Sequence, residues 1–235
     1  MKHLFPILLL ALGAGASPAS IIYSGSGNGD TGFGGAVGNG SLTFDYDGGT
    51  SLAGTFSKGG GSFDNLLVIY FDTVAGGFSD TGTFADNGDD HRRAISGFDG
   101  GTNRSTLSMP AGFNADYAVA INSGFAGVWT LDNTNNFTFN DDLGVTNDGT
   151  NFSFSLDLAD IGIAFGDSAE FVTTYISNSG FRSTESLGND VSGTQGWNAF
   201  SASPAQSFVA VPEASEALIV LLGMTGLLAT RRRKG

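Results

Sequence analysis

Cysteine is absent from the 235 residues, and histidine occurs only at His3 and His91. These two gaps exclude a disulfide framework, a thiolate nucleophile, an iron–sulfur or zinc–thiolate site and any multi-histidine metal centre. Cations are also scarce. Ten Lys and Arg stand against 23 Asp and Glu, a formal net charge of −13, so a phosphate backbone is repelled and nucleic acid is excluded as a partner. Only 14% of residues are charged while 37 are glycine, which rules out coiled coils and helical bundles. The chain has no Walker A sequence and no Gly-x-Ser-x-Gly elbow. Gly27, Gly29 and Gly32 match a dinucleotide fingerprint in letters only. The glycine-rich residues that follow cannot open the helix on which pyrophosphate binding depends.

What is present begins at the two ends. Met1-Lys2-His3 leads into an apolar run from Leu4 to Ala14 and then into small residues through Ser20. This is the grammar of a secretory signal peptide, with signal peptidase cutting after Ala16 or, preferably, after Ala19. At the other end Val211-Pro212-Glu213 precedes an apolar run from Ala217 to Ala229, closed by Arg231, Arg232, Arg233 and Lys234. Cations behind a 13-residue apolar segment hold its far end on the cytoplasmic side and leave the body outside, so a transmembrane helix acting as a tail anchor follows from charge and hydropathy.

The ordered triplet of Val-Pro-Glu, apolar segment and arginine cluster resembles the PEP-CTERM sorting tail over residues 211–235, with Ala214 standing where the family usually has a second proline. The resemblance implies an exosortase-type membrane enzyme as processing partner, acting near Pro212 and Glu213. It also implies display at the cell surface or in the extracellular matrix of a Gram-negative bacterium that makes extracellular polysaccharide. An uncleaved anchor, held in the membrane, is the alternative with the same topology. The expected organisation is therefore a signal peptide at 1–19, a body at 20–210 and a sorting or anchor segment at 211–235. Without its ends the body has 21 acidic and five basic residues, a formal charge of about −16. That is a strongly acidic secreted domain, a composition favouring solubility.

Within the body, apolar residues recur with period two between Gly, Asn, Asp and Ser clusters. Leu42, Phe44 and Tyr46 share one face, as do Phe152, Phe154, Leu156 and Leu158. Leu66 to Phe71 is continuously apolar, as expected of a central strand covered on both sides. Further strands are expected near 20–24, 51–57, 105–109, 116–121, 125–131, 136–140, 169–176 and 206–211, with one helical turn at 159–162. About ten strands predict an all-β fold, an antiparallel jelly-roll-like sandwich whose core is filled by the 20 phenylalanines. Residues 188–207 read as a loose stalk, though Val191, Trp197, Phe200 and Phe208 argue for packing.

Candidate chemistry is sparse. Asp86, Asp89 and Asp90 lie in the densest polar cluster and could ligate Ca2+. The bland reading is an exposed loop between strands whose charges partly pair with Arg92 and Arg93, with His91 a solvated loop histidine. Asp72 and Asp116 are the two acids placed at strand ends rather than in turns. With 21 acids in the body, neighbouring carboxylates are unavoidable and make weak evidence for a glycosidase.

The strand rhythm of residues 64–131 is similar to that of type-9 carbohydrate-binding and DOMON-like sandwiches. That resemblance implies sugar binding, often with calcium, with Trp129, Trp197 and Tyr117 as stacking platforms. Trp129, inside an apolar strand, is expected in the core, and Trp197, among Gly, Asn and Ser, is the expected exposed ring. The expectation is a non-enzymatic exported protein, structural or adhesive, linked to extracellular polysaccharide. A lectin-like module assisted by calcium is the second expectation, and a polysaccharide-degrading enzyme the third.

Overall fold

The computed structural model describes residues 19–27, 33–46, 49–132 and 136–210. The signal-peptide residues before Ala19 and the whole 211–235 segment, including Val211, Pro212, Glu213 and the arginines at 231–233, lie outside them. No helix among the described residues is long and apolar enough to cross a membrane.

The body is all-β, in two six-stranded antiparallel sheets and a smaller third layer. The first sheet contains β1 (Ala19–Ser26), β2 (Ser41–Tyr46), β3 (Ser51–Ser57), β9 (Thr146–Asn147), β10 (Asn151–Asp157) and β12 (Ser186–Leu187), in the order β12-β1-β2-β3-β10-β9. The second contains β4 (Leu66–Asp72), β6 (Tyr117–Ile121), β7 (Ala126–Thr130), β8 (Thr138–Asp142), β11 (Ser168–Ile176) and β15 (Gln206–Val209), in the order β15-β11-β4-β6-β7-β8. The third layer joins β5 (Thr106–Ser108), β13 (Asp190–Gly193) and β14 (Ala199–Ser203). Its β14–β5 pair is parallel, a departure from the uniformly antiparallel expectation.

Period-two patterning decides which faces meet. On β2 every second residue, Leu42, Phe44 and Tyr46, is buried, and β3 and β10 present Leu52, Phe56, Phe152, Phe154 and Leu156 to the same core. The continuous apolar run becomes β4, which pairs with β11 on one side and β6 on the other. Because successive side chains point to opposite faces, Leu67, Ile69 and Phe71 enter the core between the two large sheets. Leu66, Val68 and Tyr70 enter a second core beneath the third layer. Each fully buried aromatic or aliphatic side chain contributes about 1.5–3 kcal/mol relative to exposure, so this one strand anchors both cores.

Two polar devices bind the layers. Arg182 is fully buried; its Nη1 donates to Thr174 Oγ1 at 2.9 Å and its Nε to Ser105 Oγ at 3.2 Å, linking β11 to the lead into β5. Glu185, also fully buried, accepts the backbone N–H groups of Gly35, Val37 and Gly38 at 3.2, 2.9 and 2.8 Å. The glycine-rich connection is thus fastened to the interior at 33–40. The stretch read as a stalk forms β13 and β14, with Val191 and Phe200 buried. The helical turn expected at 159–162 is a 3-10 turn at Leu158–Ile161, closed by Gly162 in the left-handed region (φ 70°).

Candidate functional site

Of the cluster 86–93 expected as an exposed loop, residues 86–89 stay irregular, whereas residues from Asp90 onward fold as α1 (Asp90–Ser96). Asp89 takes the N-cap, its carboxylate accepting Arg92 N–H at 2.9 Å, and Gly97 ends the helix at φ 67°. The N-cap carboxylate meets one of the helix's free N–H donors, and a glycine in the left-handed region ends the helix without the cost a side chain would carry there. Ala94 and Ile95 are buried, and Tyr70 Oη donates to Ile95 O at 2.5 Å, so α1 is pinned to the outer face of the second sheet.

Asp86 is 2% exposed rather than solvated. It accepts from Phe137 N–H at 2.6 Å, from Gly88 N–H at 3.1 Å and from Arg92 Nη1 at 2.8 Å, tying α1 to the segment that enters β8. Arg92 Nη1 also donates to Phe137 O at 2.9 Å, and its Nε pairs with Asp89 at 3.1 Å. Asp90 pairs with Arg93 and accepts from Asn178 Nδ2 at 3.1 Å, and both contacts hold its carboxyl below the usual carboxylate range. The carboxylates proposed as calcium ligands are therefore turned to arginines, Asp86 and Asp89 to Arg92 and Asp90 to Arg93. Among the described residues no group of three acidic or histidine side chains is placed to hold a metal.

Between α1 and the β7–β8 edge lies a cleft of about 420 Å3, lined by Asp89, His91, Arg92, Phe125, Trp129 and Phe139. Gly127 makes it possible. A Cβ there would come within 2.7 Å of Trp129 Cη2, 2.9 Å of Phe125 Cε1 and 3.0 Å of Phe139 Cε2, so the three rings converge over a bare stretch of strand. His91 stacks on Trp129 (5.9 Å between centroids, 22° between planes) and meets Phe125 edge-on at 4.8 Å. Phe139 meets Trp129 edge-on at 5.5 Å and is itself 45% exposed. Burial lowers the His91 pKa against the opposing pull of Asp89 and Asp90, which favours the neutral imidazole. A second depression of about 520 Å3 shares Asp89 and Arg92 with this cleft and adds Asn87 and Asn136.

On the other side of α1, Arg93 Nε donates to Asn178 O at 3.0 Å and ties the helix to the 177–181 turn. There a depression of about 420 Å3 is lined by Phe33, Asn65, Ser177, Ser179, Phe181, Gln195 and Trp197. Trp197 is 44% exposed, held edge-on to Phe181 at 5.2 Å and by its Nε1–H donating to Ser179 O at 2.9 Å. An aromatic face fixed at a rim beside amide and hydroxyl groups is suited to a ligand with one apolar and one hydroxylated face.

Asp72 and Asp116 come together at neighbouring strand ends but close loops. Asp116 accepts from Thr73 N–H and Val74 N–H at 3.0 Å each, and Asp72 accepts from Asn114 N–H at 2.7 Å. Burial and the charge of Asp116 raise the Asp72 pKa against the Asn114 hydrogen bond. Neither acid lines the three depressions. Trp129 is buried, at 2% exposure, and Ala19 begins β1.

Sequence reasoning set His91 aside as a solvated loop histidine, whereas it is half-buried on α1 against Trp129 and Phe125, and it passed over Phe139. Two signals pointed to them: Asp89 and Gly97 bracket a helix, and Gly127 sits between aromatic residues at alternate positions 125 and 129. Comparison of the chain with protein-family models, with curated proteins and with solved structures returned no match.

Proposed function

We propose that this is an exported, non-enzymatic surface protein, its body a jelly-roll-like sandwich, which adheres to extracellular polysaccharide. A signal peptide carries it out, and the PEP-CTERM-like tail at Val211–Glu213 and Arg231–Arg233 hands it to an exosortase-type enzyme. The observation that carries the adhesive part is the half-exposed Trp197, braced by Phe181 at the rim of a depression with Asn65, Ser177 and Gln195. A sugar packs the C–H face of its ring on such an indole while side-chain amides and hydroxyls bond its hydroxyl groups.

Co-sedimentation of the exported protein with insoluble polysaccharides tests the reading. Trp197→Ala is expected to lower retention at least fivefold with the thermal midpoint held within a few degrees; equal retention of the variant, or no retention of the parent on any polysaccharide, refutes it. Intact mass tests the sorting part. Loss of residues 1–19 and of the segment beyond about Pro212 is expected, and a mass that keeps Arg231 to Gly235 means an uncleaved anchor.

A further inference from the structure

In the α1 cleft two polar atoms are buried without a hydrogen-bond partner among the described residues: Trp129 Nε1 and His91 Nε2. Both belong to rings stacked on one another, and both rings line the same cleft. A buried donor or acceptor left unmatched is costly, and native interiors carry few. Two in one cleft wall point to a ligand group that matches them.

The surroundings narrow its chemistry. An anion meets Asp89 in the wall and Asp86 and Asp90 nearby, and Arg92, the one cation among the described residues that line the cleft, already donates to Asp86 and Asp89. A cation finds each of those carboxylates engaged with an arginine. A purely apolar ligand covers Phe125 and Phe139 but leaves both nitrogens unmatched. A hydroxyl group accepts from the indole N–H and also satisfies either tautomer of a neutral imidazole, donating to Nε2 or accepting from it. The volume lies in the range of small-ligand sites, about 300–1,000 Å3, and the adjoining depression with Asn87 and Asn136 extends the groove.

We infer that the cleft between α1 and the β7–β8 edge is a binding site for a neutral oligosaccharide, one of whose hydroxyls bridges Trp129 Nε1 and His91 Nε2. The next sugar unit of the chain extends toward Asn87 and Asn136. Phe139, half-exposed on edge strand β8, is the ring that turns aside to admit the ligand. The inference rests on the carbohydrate reading above only for its ligand class; the site and its residues are different from the Trp197 rim.

The protein's two tryptophans, Trp129 and Trp197, make the test direct. The 15N-labelled exported protein shows one indole N–H resonance from each, assigned with Trp197→Phe. Neutral tetrasaccharides of glucose, mannose and N-acetylglucosamine are titrated to millimolar concentration, with a tetrasaccharide of galacturonate as the charged control. The expected result is a saturable shift of the Trp129 resonance with at least one neutral tetrasaccharide, weaker binding by the corresponding monosaccharide and no response to galacturonate. His91→Phe keeps an aromatic ring, removes one partner and is expected to weaken binding about fivefold, the worth of one neutral hydrogen bond; Trp129→Phe, which has no Trp129 resonance, is expected to show the same loss by calorimetric titration. A Trp129 resonance unmoved by every neutral sugar overturns the inference, including when it shows contact with a long-lived water instead. Movement of the Trp197 resonance alone overturns this site and leaves the surface reading standing; silence from both overturns both.

Discussion

Glu185→Gln removes one oxygen from a buried carboxylate that receives three backbone N–H groups. Oε2 takes Val37 and Gly38, while Oε1 takes Gly35. In its better orientation the glutamine keeps its carbonyl oxygen at the Oε2 position and turns an NH2 toward the Gly35 N–H, donor against donor. Hydrogen bonds to a charged group are each worth about 1.5–3 kcal/mol, and an unmatched buried donor costs about 1–3 kcal/mol. One bond lost and two weakened amount to about 3 kcal/mol. For a domain of this size the thermal midpoint falls by about 2–4 °C per kcal/mol, an expected drop of about 6–12 °C by circular dichroism. Glu185→Ala, which leaves all three donors unmatched, is expected to fall further. The damage should be felt at a distance as well. Phe33 leads the fastened segment and packs on Tyr175 at 5.0 Å and on Phe181 at 5.9 Å, and Phe181 braces Trp197. Trp197 emission should therefore shift in the variant. A stability change under about 1 kcal/mol in urea denaturation, with Trp197 emission unaltered, would refute the view that this carboxylate holds the glycine-rich segment.

Gly127→Ala is expected to destabilise by about 1–3 kcal/mol, the usual cost of overpacking, because its new methyl meets three rings at 3.0 Å or less. The Trp129 indole resonance should lose its response to oligosaccharide in the same variant; an unchanged urea midpoint would show that the rings yield freely. Asp148 accepts from Thr150 N–H, Asn151 N–H and Asn151 Nδ2, and these bonds lower its pKa from 3.8 to about 2. A depressed folded-state pKa contributes stability above the unfolded value, lost as pH falls through the folded one. The 147–151 turn should thus weaken between about pH 4 and about pH 2. Carboxyl 13C titration checks this, and an Asp148 midpoint near 4 would contradict it.

Legibility in the sequence followed how many residues a signal occupies. The strands at 41–46 and 51–57 were readable because each has six or seven residues of clean alternation, and 66–72 because an unbroken apolar run has few other uses. Helix α1 has no apolar stripe, since at seven residues its buried positions are Ala94, Ile95 and Ser96, only two of them apolar, and its caps are the whole signal. The third layer was hidden for a related reason. Val191 carries β13 nearly alone, and Phe200 and Ala202 carry β14, so four or five residues of alternation look like a loose stalk. Asp86 shows the limit for the site: nothing local distinguishes a carboxylate that will accept Phe137 N–H, 51 residues away, from one facing water. The exposure of Trp197 and the burial of Trp129 were readable from neighbours, but the unmatched indole N–H of Trp129 depends on a partner strand and a helix that only the fold brings together.

Because β4 faces two cores, it acts as a wall shared by two rooms. A smaller side chain at Val68 opens space on the α1 side, and one at Ile69 opens it between the large sheets, yet each loosens the same backbone and so both rooms. The layers therefore cannot melt one after another, and their slowest-exchanging amides should be those of β4 and its neighbours. Trp129, Ala118 and Tyr70 share the outer room with α1. Whatever occupies the cleft above Trp129 is thus coupled to the whole body: at a hundred times its dissociation constant it would add about 2.7 kcal/mol to global stability. If the cleft is filled as inferred, the protein resists proteolysis most where that ligand is abundant, and becomes easier to degrade once it drifts away from it.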